Sequence, residues 1–81
     1  MTKKQCDVQA TLNKIKRLQY ERGISDAQMA REIGGNTTRQ DIHKLLNHRN
    51  SMPKLDWLIS ISEVLEVSLE EIIVLKNRED V

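Results

Sequence analysis

The stretch REIGGNTTRQDIHKLLNHRN, Arg31 to Asn50, joins two helical patterns across a pair of glycines. Upstream, Met29, Ala30 and Ile33 recur at the spacing of one helix face. Gly34-Gly35 predicts the end of that helix, because glycine accepts positive φ without steric cost. Thr37 or Thr38 then offers a hydroxyl to start a new helix, expected to run to about Asn47. At about 100° per residue, Ile42, Leu45 and Leu46 fall in one apolar sector. Gln40, Lys44 and Asn47 fall opposite. Arg39 and His43 lie on one flank, Asp41 and His48 on the other. One side of this segment is built to dock, and the other presents donors and acceptors to solvent.

Working outward, four more helices can be read. The first spans about Val8 to Arg22, with Asp7 as N-cap, an apolar stripe at Val8, Leu12, Ile15 and Leu18, and Gly23 as the terminating residue. The second opens after Ser25, where Ser25 and Gln28 fit a capping box. Pro53 bars a continuous helix between the third and fourth segments. The fourth, LDWLISISEVLE, offers Leu55, Leu58, Ile59, Ile61 and Leu65 for burial. The fifth opens with Ser68-Leu69-Glu70-Glu71, again a capping box, and is expected to continue through IIVLK. The connections are short, as a compact five-helix, all-α bundle requires.

The 81 residues are enough for one domain. Residues 1–7 are expected to form a flexible N-terminal arm, 8–77 the folded domain and 78–81 a C-terminal tail. A single cysteine, Cys6, cannot form an internal disulfide. The start of the chain lacks a signal-peptide pattern and no apolar run reaches membrane-spanning length, so a cytoplasmic protein with no membrane partner is expected. The net charge of +1 is unevenly shared. Residues 1–54 carry 11 of the 13 Lys/Arg and 5 of the 12 Asp/Glu, a net +6; residues 55–81 carry the rest, a net −5. A basic half suits a polyanion.

The polar side of the third helix suits base reading. Arginine and lysine donate to guanine O6 and N7, and glutamine pairs with adenine N7 and N6. Thr37 and Thr38, with the free N–H groups of a first turn, suit a phosphate oxygen. His43 and His48 are five residues apart and do not share a helix face, so neither a metal site nor any cofactor is expected. No nucleophile–base pair or phosphate-cradling glycine loop points to an enzyme.

From Leu12 to about Ile73 the chain resembles the phage repressor/Cro-type helix-turn-helix domain, the XRE family. The resemblance rests on LNKIKRLQYERGIS, AQMAREIG, TTRQDIHKLLN and MPKLDWLISISEVLEVSLEEII, in that order and spacing. It implies a lambda-repressor-like five-helix fold in a repressor that binds double-stranded DNA, usually as a homodimer on a palindromic operator. Carried over by position, it implies that Arg39, Gln40 and Lys44 read bases. It also implies that Thr38, Asn47 and the loop residues His48, Arg49 and Asn50 lie along the DNA backbone, with Thr37 and His43 beside them. Three places depart from the family pattern: Gly35-Asn36 lengthens the turn, Asp26 stands where a glutamine is common, and Lys54 replaces a small capping residue.

Trp57 fits either the core or a subunit contact, since aromatic residues are enriched at interface centres. Ile72, Ile73, Val74 and Leu75 run consecutively, and one short helix cannot bury all four on one face. Trp57, Ile73 and Val74 are therefore the candidates for a dimer seam, with local core packing as the alternative. An alternative function on the same fold is a protein-interaction module, for example antitoxin-like, that meets a protein partner and binds DNA weakly or not at all.

Overall fold

Local capping sets most of the element boundaries in the computed structural model, which describes residues 3–47 and 53–78. After strand β1 (Lys3–Cys6), helix α1 covers Val8–Arg22. The Asp7 carboxylate accepts the Ala10 N–H at 3.0 Å at its start. Gly23, at φ 67°, closes it in the left-handed conformation. Helix α2 (Asp26–Ile33) is capped by Ser25 Oγ, which accepts the Gln28 N–H at 3.1 Å. Gly34 and Gly35, at φ 84° and 63°, end it and turn the chain through 34–38 into α3 (Arg39–Asn47). Helix α4 (Leu55–Leu65) follows Pro53 and ends at Glu66, a non-glycine residue at φ 57°.

The C-terminal part departs from the sequence expectation. Helix α5 is a single turn, Leu69–Ile72, and the expected continuation through IIVLK does not form. Ile73 is already extended at φ −83°, ψ 120°. The run Ile72-Ile73-Val74 is β-branched, which favours extended backbone. Its polar groups also find a better partner than a helix could provide. The Val74 N–H donates to Thr11 Oγ1 at 2.9 Å, and its carbonyl accepts the Asp7 N–H at 2.7 Å. The chain then enters β2 (Leu75–Arg78), antiparallel to β1, with Lys3 opposite Arg78 and Cys6 opposite Leu75. Lys3–Cys6, read from sequence as part of a flexible arm, are thus half of a two-stranded ribbon. The expected all-α fold becomes a mostly helical one, with five helices and this small sheet among the described residues. Ser68 stands at the N-cap of α5 without a side-chain capping bond, so only the position of the expected box is kept.

The core is aliphatic. Leu12 and Ile15 of α1, Met29 and Ala30 of α2, Ile42, Leu45 and Leu46 of α3, Leu58, Ile61 and Leu65 of α4 and Ile72 of α5 are all buried. Complete burial of one such side chain contributes about 1.5–3 kcal/mol. Helix α3 packs chiefly against α2 and less extensively against α1, while α4 packs on α2 and α1. That packing fixes which side of α3 remains outside. Among the described residues, no helix is long and apolar enough to cross a membrane.

Candidate nucleic-acid interface

Helix α3 begins with a reciprocal cap. Thr38 Oγ1 accepts the Asp41 N–H at 3.2 Å, and Asp41 Oδ2 accepts the Thr38 N–H at 2.9 Å. An aspartate takes the place usually held by glutamate or glutamine in a capping box. The bonds satisfy two backbone donors of the first turn and place a negative charge at the positive end of the helix. They also narrow the expected phosphate role. The Thr38 N–H and the Asp41 N–H are engaged within the chain, so the Thr38 hydroxyl hydrogen and the N–H groups of Arg39 and Gln40 remain as donors. Thr37 is half-buried in the loop, where its N–H donates to the Gly34 carbonyl at 3.3 Å.

Beyond the cap, the helix separates cleanly. Ile42 is 0%, Leu45 4% and Leu46 2% exposed, whereas Arg39, Gln40, His43 and Lys44 are all exposed. Arg39, Gln40, His43 and Lys44 come together with Asp26 of α2 around an open cleft of about 560 Å³. Among the described residues, Arg39, Gln40 and Lys44 make no ion pair or side-chain hydrogen bond. These exposed side chains line an open concavity, where cations and their field act on whatever enters.

Asp26 is anchored from beneath. The Gln19 side-chain amide, buried in α1, donates to Asp26 Oδ1 at 3.0 Å. The other carboxylate oxygen, Oδ2, lies 3.7 Å from His43 Nδ1. A chain of polar groups therefore runs from α1 through α2 to α3. Asp26 is the first residue of α2, where the helix dipole favours a carboxylate.

Asn47 is exposed yet committed within the chain. Its Nδ2 donates to the His43 carbonyl at 3.0 Å and lies 3.4 Å from His43 Nδ1, while its Oδ1 accepts Lys16 Nζ at 3.3 Å. It closes the last turn of α3 and ties it to α1. Lys16 is the cation that the sequence reading missed. It belongs to α1 by position, and only the tertiary packing brings it to the end of α3. Gln19 was missed for the same reason. His48, Arg49 and Asn50 lie outside the described residues.

Trp57, Ile73 and Val74 each have a place within the chain. Trp57 is half-buried and lines a shallow recess with Asp41, Lys44 and Leu45; Lys44 also lines the cleft. Ile73 packs against the core, and Val74 is held by Thr11 and Asp7. The large apolar side chains most open to solvent are instead Tyr20, Leu55, Leu75 and Ile59. Among the described residues, no group of three or more His, Cys, Asp or Glu is placed to hold a metal ion. Compared with protein-family models, with curated proteins and with solved structures, the chain finds no match.

Proposed function

We propose that the protein is a sequence-specific DNA-binding transcriptional regulator of the phage repressor/Cro type, in which α2, the glycine turn and α3 act as a helix-turn-helix. The observation that carries this reading is the division of α3. Its aliphatic side is sealed in the core, and Arg39, Gln40 and Lys44 stand on the open side without partners among the described residues. Unpaired donors on a rigid, capped helix suit the major groove, where each base pair shows a distinct pattern of acceptors and donors. Arg39 and Lys44 reach guanine O6 and N7; Gln40 pairs with adenine. Lys16, beside the end of α3, supplies a cation for the phosphate backbone.

Two copies on a palindrome would set their α3 helices in successive major grooves, about 34–36 Å apart. Such a regulator acts by occupying DNA that polymerase or another regulator needs, in a cytoplasmic setting. The test is selection of bound duplexes from a random DNA pool. Recovery of a palindromic consensus is the expected result. A pool that remains random after repeated rounds contradicts the reading.

A second reading, a protein-interaction module on the same fold, is favoured by one observation. Leu55 and Ile59, four residues apart on α4, are 59% and 39% exposed and form a small apolar stripe. Under that reading Leu55→Asp abolishes partner binding, while random duplexes at low salt are not retained.

A further inference from the structure

The cleft contains one group that a simple anion-binding surface would not have. Asp26 faces Arg39, Gln40, His43 and Lys44 from across the cleft, and its side chain is only 29% exposed. It is not neutralised by its cationic neighbours. Among the described residues, neither Arg39 nor Lys44 comes within ion-pair distance of it, and His43 is charged only when protonated. Gln19, buried in α1, donates to Oδ1 at 3.0 Å and so favours one orientation of the carboxylate. Oδ2 does not take the Gln19 bond and lies 3.7 Å from His43 Nδ1 of α3, in a residue that lines the cleft.

We propose that Asp26 is a specificity-determining residue, whose carboxylate turns phosphate away from the cleft and favours a base edge bearing an exocyclic amino group. This rests on the reading of α3 as a DNA-reading helix. A fixed negative charge in a cleft acts on every phosphate that approaches, whatever the sequence, and so weakens the backbone-only mode of binding. The same oxygen accepts a hydrogen bond from cytosine N4 or adenine N6, which guanine O6 and thymine O4 cannot provide. The cations around the cleft supply attraction, and Asp26 makes that attraction conditional on the base presented. Gln19 is the positioning residue that holds the carboxylate at this depth.

The experiment compares the full chain with its Asp26→Asn and Asp26→Ser variants. Asparagine keeps the shape and an oxygen for Gln19; serine is a second neutral residue that helix N-termini tolerate. Each is measured against a random-sequence duplex over a range of salt and against the duplex selected by the parent, with a thermal melt of every variant. Glu32→Gln, a charge removal on the same helix but outside the cleft, controls for net charge. The expected result is a gain of about 3- to 10-fold on the random duplex, larger than that of Glu32→Gln, the size of one charge interaction across several ångströms of water-exposed protein. The preference at one base pair of the selected duplex should fall at the same time. No gain beyond the Glu32→Gln control overturns the role of Asp26. A gain on random duplex with base preferences unchanged overturns the amino-group assignment. A parent that selects no duplex removes the reading helix itself, whereas a parent that selects one while Asp26→Asn discriminates equally well removes only Asp26.

Discussion

Two sets of polar groups between packed elements have opposite fates. At the seam between α1 and the extended strap of residues 73–74 that joins α5 to β2, Thr11 is completely buried, and its hydroxyl serves the backbone of Val74. The Asp7 N–H and the Val74 carbonyl complete the seam. At the cleft between α2 and α3, Gln19 and Asp26 are similarly tied, but Oδ2 of Asp26 and the donors of Arg39, Gln40 and Lys44 face an open space. The seam uses its polar groups to close the fold. The cleft retains a surplus: among the described residues, Arg39, Gln40 and Lys44 have no ion pair or side-chain hydrogen bond, and a surplus of that kind suits a ligand-binding face.

The sharpest way to break this comparison is to cut α3 on each side separately. Ile42→Ala, on the sealed side, should cost about 2–5 kcal/mol in urea unfolding, because it leaves a cavity among Leu12, Met29 and their neighbours. Gln40→Ala, on the open side, should change stability by no more than about 0.5 kcal/mol. Equal losses at the two positions would mean that the open side is also structural. The seam gives the next largest effect. Thr11→Val keeps the shape but strands the Val74 N–H, and should cost about 1–3 kcal/mol without changing DNA affinity. A neutral result there would show that the strap contributes little.

Smaller effects sharpen the picture at the helix ends. Thr38→Ala removes one half of the α3 cap and should cost about 0.5–2 kcal/mol by thermal melting. Glu66→Gly relieves a left-handed non-glycine residue at the end of α4 and should stabilise by up to about 1 kcal/mol. A loss at that position would indicate that the Glu66 side chain makes a contribution larger than the backbone relief.

The features legible in the sequence were those fixed by neighbours a few residues apart. Asp7, Ser25 and Gly23 mark helix ends through bonds and dihedrals within one turn, and the spacing of Ile42, Leu45 and Leu46 separates the two sides of α3. The Thr38–Asp41 cap was within reach of the same reasoning, but a pattern that asks for glutamate or glutamine passes over the shorter aspartate. The ribbon was not legible. KKQC and LKNR carry no alternating apolar face, and they pair because the strap delivers them to the same place from opposite ends of the chain. The strap also explains the misread of α5: helical spacing in IIVLK competed with β-branched backbone preference and with Thr11, and lost. In the cleft, Arg39, Gln40, His43 and Lys44 were legible because one helix carries them. Gln19 and Lys16 were not, since α1 reaches the site only through packing.

The central claim is that the open side of α3 reads DNA while its other side holds the fold. It is tested most directly by the Gln40→Ala and Lys44→Ala variants on the duplex selected by the parent, each paired with a thermal melt. The account predicts a loss of about 1–3 kcal/mol in binding for each, with melting temperatures close to that of the parent. Two variants that bind the selected duplex as tightly as the parent, with melts unchanged, would contradict it.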